Sequence, residues 1–147
     1  ETQEVFSKEV MADLTYALKG VVTGGTGAAA LALGRPAAGK TGTSQSNASA
    51  WFSAYTPQIA ASVAFFRDNA TQSLNGIGGL NSVTGGSFPA RIWAAYVKAY
   101  LGNAPIQDFP AAANIGGTDA VDYINAVPQM DPALIPPSPT PTPKKKK

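Results

Sequence analysis

Between Ile59 and Phe66 the chain runs Ile-Ala-Ala-Ser-Val-Ala-Phe-Phe, and both of its alternating sets of positions are mostly apolar. Side chains of an extended strand point alternately to its two faces, so Ile59, Ala61, Val63 and Phe65 share one face and Ala60, Ser62, Ala64 and Phe66 the other. Such a strand wants cover on both sides, which excludes a lone hairpin and asks for a sheet sandwiched between layers. Ala38 to Ser44 and Ala50 to Tyr55 read as two preceding strands. The short, turn-prone Thr56-Pro57-Gln58 joins the second to the third as an antiparallel pair.

Two helices frame these strands. Ser7 suits an N-cap and Glu9 a first-turn acid. Val10, Leu14, Leu18 and Val21 then recur at helical spacing, with Met11 and Ala17 widening the apolar stripe. The spacing predicts a helix from Lys8 to Val22, stopped by Gly24, Gly25 and Gly27, after which Ala28 to Leu33 lead toward the first strand. No Gly-x-x-x-x-Gly-Lys-[Ser/Thr] lies in that glycine cluster, so it is not read as a phosphate loop. Beyond the strands comes a Gly/Asn/Ser loop from Asn69 to Gly86. A second helix follows, with Pro89 in its first turn and Ile92, Trp93, Tyr96, Val97, Tyr100 and Leu101 on one face, ended by Gly102. Trp93 and Tyr96 are read as core. The fold class is therefore α+β, with about three antiparallel strands and two helices packed on them.

Past residue 102 the periodicity fades. Residues 103–131 are expected to form an irregular extension, with a short helical turn at Thr118 to Asn125. Residues 132–147, with Pro-Ser-Pro-Thr-Pro-Thr-Pro before four lysines, bury too little to offset ordering entropy and are expected to be a disordered, polyproline-like tail. Those lysines also distort the charge. The formal net charge is +2, but without Lys144, Lys145, Lys146 and Lys147 seven bases face nine acids, leaving the body at −2. A mildly acidic body removes the main support for a nucleic-acid partner. Cysteine and histidine are absent, which excludes disulfides, thiolate and imidazole chemistry and ordinary zinc sites, and no cofactor or metal is expected. No apolar run approaches the ~20 residues of a membrane span. Glu1-Thr-Gln-Glu4 does not read as a secretory leader, so any targeting segment is expected outside this stretch.

The chemistry-bearing motif is Lys40-Thr41-Gly42-Thr43 within Gly34-Arg-Pro-Ala-Ala-Gly-Lys-Thr-Gly-Thr43. Around it stand Gly25-Thr26-Gly27 upstream, Ala50-Trp51-Phe52-Ser53-Ala54-Tyr55-Thr56-Pro57 downstream, and Gly86-Ser-Phe-Pro-Ala-Arg-Ile-Trp93 farther on. In that order and at those distances, residues Val5 to Leu101 resemble the C-terminal part of the transpeptidase domain of an actinobacterial-type class A bifunctional penicillin-binding protein. The resemblance implies a serine transpeptidase/β-lactamase-like fold, with residues 1–102 as the C-terminal portion of that domain. It also implies acyl transfer, in which a serine hydroxyl, a proton acceptor and oxyanion donors converge on one carbonyl.

On that resemblance, Lys40 sets a cation beside the serine of a Ser-x-Asn loop and the substrate carboxylate, and Thr41 hydrogen-bonds that carboxylate. Gly42 leaves room for the acyl-donor peptide to run along the strand. Thr43 lends its backbone N–H to the oxyanion hole, and its hydroxyl reaches the carboxylate. Lys40 and Thr43 are thus the candidate catalytic residues; Thr41, Gly42 and Thr43 are the substrate-binding ones.

The sequence departs from the family pattern in three places. No serine has a lysine three residues later, so the nucleophile is missing and the chain alone is expected to be inactive. Ser73-Leu74-Asn75 is a Ser-x-Asn, but it follows Lys-Thr-Gly where the family places it before, and it is read as loop composition. Ser49 fills a slot that usually holds an acid before Trp-Phe.

The resemblance implies a piece of a peptidoglycan D,D-transpeptidase whose nucleophile, Ser-x-Asn loop, glycosyltransferase domain and membrane anchor lie N-terminal to Glu1. Its location would be extracytoplasmic and membrane-associated through a segment not present here. Its partners would be stem peptide, β-lactams and the N-terminal remainder, with weak contact of Lys144 to Lys147 with anionic wall polymers or lipid. A non-catalytic wall-associated binding or structural module that kept the fold is the alternative. A serine β-lactamase or D,D-carboxypeptidase is a third reading, which the Gly25-Thr26-Gly27 and Trp51-to-Pro57 segments disfavour.

Overall fold

Three segments rich in alternating small and apolar residues pair as one antiparallel sheet: β1 (Ala38–Thr43), β2 (Ser49–Tyr55) and β3 (Ala60–Phe66), in the order β1-β2-β3. The computed structural model describes residues 4–69 and 71–116. The register sets Thr41 against Phe52 and Gly42 against Trp51, and Phe52 in turn against Val63. The β2–β3 turn is tied by Thr56, whose N–H donates to the Ile59 carbonyl at 2.9 Å while its hydroxyl accepts the N–H groups of Gln58 and Ile59. With the helices described next, the class is α+β.

Helix α2 (Phe88–Leu101), with Pro89 in its first turn, buries Ala90, Trp93, Ala94, Val97 and Leu101. These side chains meet Phe52 and Ala54 from the sheet, Val22 from α1 (Lys8–Thr23), and Ala30 and Leu33 from the connecting segment, which forms a 3-10 helix, Ala28–Leu33. Trp93 is the pivot of this core. It is fully buried, its ring stands edge-on to Phe52 at 5.5 Å, and its Nε1–H is shared between the carbonyls of Ala54 and Ala61. A buried indole satisfied in this way anchors α2 to both β2 and β3.

Three expectations need correction. Tyr96 is not core: it is 54% exposed and stacks on Tyr100, and Ile92 also faces outward. In α1 the Ser7 cap forms as expected, but the buried positions are Ala12, Thr15 and Val22. Val10, Met11 and Leu14 lie exposed, Leu14 at 47%. The buried stripe sits about a third of a turn around the helix from the apolar one. Finally, β3 is covered on one face only. Ala61, Val63 and Phe65 pack inward, whereas Phe66 is 68% and Trp51, on the same face, 45% exposed.

Residues 103–115 carry no regular structure but are tied at several points. Arg35 donates to the carbonyls of Gly102 and Pro105, Gln58 donates to that of Pro105, and Phe109 packs edge-on against Tyr55. At its end, the N–H groups of Asn114 and Ile115 donate to the two carboxylate oxygens of Asp13 at 2.8 and 2.9 Å. The helical turn expected at Thr118 to Asn125 and the tail expected over residues 132–147 lie outside the described residues.

Candidate active site on the outer strand

Lys40, Thr41, Gly42 and Thr43 all fall in β1, the outer strand of the sheet. Backbone groups of an antiparallel strand alternate between facing the partner and facing away. The Ser44 N–H, bonded to the Ser49 carbonyl at 3.0 Å, fixes the phase. In that phase Gly42 and Lys40 turn their N–H groups toward β2, and Thr43 and Thr41 turn theirs to the edge that has no strand partner among the described residues.

Side chains divide the same way. Thr41 and Thr43 share the face of Phe52, about 7 Å apart along the strand; Lys40 and Gly42 share that of Trp51 and Ser53. Thr41 is half-buried and Thr43 exposed. A tight turn backs the two threonines: Ser87 closes it with its N–H and hydroxyl on the Thr84 carbonyl and its Oγ on the Thr84 N–H. The turn presses Gly85 and Gly86 against β1. A Cβ on Gly85 would strike the Trp51 carbonyl and come within 2.8 Å of the Gly42 oxygen, so only glycine allows this approach. From there the Gly85 N–H donates to the Thr43 hydroxyl at 3.3 Å. The Thr41 hydroxyl lies 2.6 Å from that of Thr26.

Lys40 takes no part in this cluster. Its ammonium is exposed on the opposite face and donates to the Thr41 carbonyl at 2.9 Å. It borders a groove lined by Leu18, Ser53, Tyr55 and Ser62. Gly42 differs from its neighbour Gly39 in a telling way. A Cβ on Gly39 would collide with Ala54, whereas one on Gly42 would make only ordinary contact with Trp51 at 3.4 Å. Packing within the chain therefore demands glycine at 39 and leaves it unexplained at 42.

Ser73 and Asn75 stand apart from the site in role. The Ser73 hydroxyl accepts the Asn75 N–H, the Asn75 amide accepts from Asn47, and Leu74 between them is buried, so the segment is a structural loop. One coincidence escaped the sequence reading: Gly34 to Thr41 has the spacing Gly-x-x-x-x-Gly-Lys-Thr of a phosphate loop. That motif needs a loop opening a helix, whereas here its Gly-Lys-Thr is strand. Sequence reasoning also missed the parts played by Thr26, Gly85 and Gly86. Their signal was the Gly25-Thr26-Gly27 and Gly86-to-Trp93 motifs, which marked the resemblance without showing what these residues touch.

The family model for the penicillin binding protein transpeptidase domain matches residues 1–81, more than half of the chain. The chain belongs to this penicillin-binding transpeptidase family. Penicillin-binding protein 1A of Mycolicibacterium smegmatis is 32% identical over 131 residues, 86% of this chain. The penicillin-binding protein PonA1 from Mycobacterium tuberculosis superposes with a TM-score of 0.64 at 29% identity, over 71% of this chain and 28% of that one. A PonA1 structure in complex with penicillin V gives a TM-score of 0.62. Penicillin-binding protein 1A from Haemophilus influenzae gives 0.58 at 25% identity, over 74% of this chain and 17% of that one. This penicillin-binding transpeptidase chain spans 16% of the length of its M. smegmatis relative. Among the described residues, no helix is long and apolar enough to cross a membrane.

Proposed function

We propose that this chain supplies the substrate-binding strand of a peptidoglycan D,D-transpeptidase that cross-links stem peptides through a serine acyl-enzyme. The observation that carries the reading is the division of labour in β1: two threonine hydroxyls on one face, and at the strand's outer edge the Thr43 N–H, directed at no strand partner among the described residues. An N–H held on a rigid strand is preorganised for a developing oxyanion, which is how acyl-transfer sites gain most of their rate. The Thr41 and Thr43 hydroxyls donate to the substrate carboxylate. Because the Gly85 N–H already occupies one lone pair of the Thr43 oxygen, the hydroxyl proton is left to point outward. Gly42, which packing does not require, leaves the strand's surface clear for the acyl-donor peptide.

Lys40 lies on the face that the chain leaves open, where the nucleophile and the Ser-x-Asn serine of an N-terminal remainder would approach. Its ammonium would exchange the Thr41 carbonyl for those groups. The same reading assigns the complete protein a glycosyltransferase domain, an extracytoplasmic location and a membrane anchor, and takes β-lactams as substrate analogues, in keeping with the penicillin V complex of the PonA1 relative. It also gives the four C-terminal lysines anionic wall polymers or lipid as weak partners. The absence of any Ser-x-x-Lys keeps a second reading, a non-catalytic module, in view.

Fluorescent penicillin tests this directly. The chain by itself is expected to form no covalent adduct. In the complete domain, Lys40→Ala should slow acylation roughly ten- to a hundredfold, the loss of a charge-assisted donor worth about 1.5–3 kcal/mol. Thr41→Val should act more mildly. Unchanged acylation in both variants would remove β1 from the active site.

A further inference from the structure

Thr26 sits in the loop between α1 and the 3-10 helix, outside the Lys-Thr-Gly strand, yet its hydroxyl is 2.6 Å from the Thr41 hydroxyl. The loop places it there by steric necessity. A Cβ on Gly25 would come within 2.9 Å of the Val21 Cα, and one on Gly27 within 2.9 Å of the Phe52 ring. The Gly27 N–H closes the turn on the Val21 carbonyl at 2.9 Å. On the other side, a Cβ on Gly86 would strike the Thr26 carbonyl. Thr26 is thus gripped by the helix end behind it and the Gly85-Gly86 turn in front, and its exposed side chain has one described hydrogen-bond partner.

Two hydroxyls in contact share one proton between them, leaving the other free. If Thr41 is to donate to a carboxylate, its oxygen must be the acceptor in this pair and Thr26 the donor. We propose that Thr26 is a positioning residue for the substrate carboxylate: it donates to Thr41, fixes the rotamer of that side chain, and turns the Thr41 proton outward toward the anion. A hydroxyl that accepts one hydrogen bond becomes a better donor in the next, so the pair also strengthens the contact. The same logic applies one residue pair along, where the Gly85 N–H does for Thr43 what the Thr26 hydroxyl does for Thr41. The carboxylate site is therefore served by two supporting donors, neither of them in the Lys-Thr-Gly-Thr sequence. This inference rests on the proposal that Thr41 binds the carboxylate.

The test uses the complete penicillin-binding domain and two acylating probes, benzylpenicillin and its neutral methyl ester. Wild-type protein should prefer the acid, and Thr26→Val should narrow the acid-to-ester ratio of acylation rates by about five- to tenfold, the scale of one hydrogen bond between uncharged groups. Thr26→Ser, which keeps the hydroxyl, should restore the ratio. In a Thr41→Val background, Thr26→Val should have no further effect, since the two act as a unit. The ratio is internal to each preparation, so a reduced active fraction does not move it. An unchanged ratio in Thr26→Val beside a lowered one in Thr41→Val would overturn the role of Thr26 alone. An unchanged ratio in both would overturn the carboxylate reading of the strand, and full additivity of the two substitutions would make Thr26 independent of Thr41.

Discussion

The two faces of the sheet are built on opposite principles. On the face of Phe52, Ala54 and Val63 a tryptophan, two helices and a 3-10 turn close over the strands, and the indole N–H has two carbonyl partners. On the opposite face Trp51 and Phe66 stand exposed. The outward stripe of α1, Val10, Met11 and Leu14, is also left uncovered. The closed face gives the unit its stability, and the open one leaves large apolar side chains in contact with solvent. Lys40 projects from the open face and Thr41 and Thr43 from the closed one, so β1 is the element on which both halves of the candidate site depend.

The largest test of this contrast is Trp93→Ala. It removes a fully buried indole together with two hydrogen bonds and should cost about 3–5 kcal/mol, abolishing the cooperative unfolding transition in urea. Gly85→Ala comes next. The added methyl must displace the strand carbonyls of Trp51 and Gly42, an overpacking effect of about 1–3 kcal/mol. It should lower Tm and, in the complete domain, slow acylation as well; a stable but slowed variant would isolate the turn's part in the site. On the open face, Trp51→Ser and Phe66→Ser should each change the stability of the isolated chain by no more than about 0.5 kcal/mol. Both should visibly reduce its binding of hydrophobic dye and its aggregation. Large destabilisation by either would erase the distinction between the faces.

The smallest effect concerns Asp13. The N–H groups of Asn114, then of Ile115, hold its carboxyl below the ordinary carboxylate range. A depressed acid stabilises the fold while ionised. The advantage of wild type over Asp13→Asn should therefore be full above the unfolded-state pKa of about 4 and fade as the pH falls through the lower folded value. Urea titrations of both proteins at pH 7 and pH 3 would show a difference at the first and a smaller one at the second; equal gaps would dissociate the carboxylate from the segment it holds.

The strands, the Ser7 cap, α2 and its Trp93 were legible in the sequence because each is a local or periodic signal that tertiary contacts then reinforce. The site strand was legible through four consecutive residues, and its setting through the family resemblance. The orientation of α1 was not, because periodicity says which residues share a face without saying which face the chain itself covers. Tyr96 failed for the same reason. The contacts of Thr26, Gly85 and Gly86 were illegible for a different one: although Gly25-Thr26-Gly27 and the segment from Gly86 marked the resemblance, what they do lies in backbone approaches closer than a Cβ allows, between segments up to 60 residues apart in sequence, and nothing local distinguishes such glycines from those of an ordinary loop.

The clasp of Asp13 on Asn114 and Ile115 joins residues 101 and 102 positions apart. Synthesis proceeds from the N-terminus, so α1 leaves the ribosome with its carboxylate unpartnered and must wait for the whole sheet, the turn at Gly85 and α2 before its tie arrives. Contacts of such long sequence separation form late. Residues 103–115 are thus the last of the described residues to lock. The amides of Asn114 and Ile115 should be the last to gain protection in pulse-labelled hydrogen exchange, well after the indole of Trp93 has been shielded from solvent.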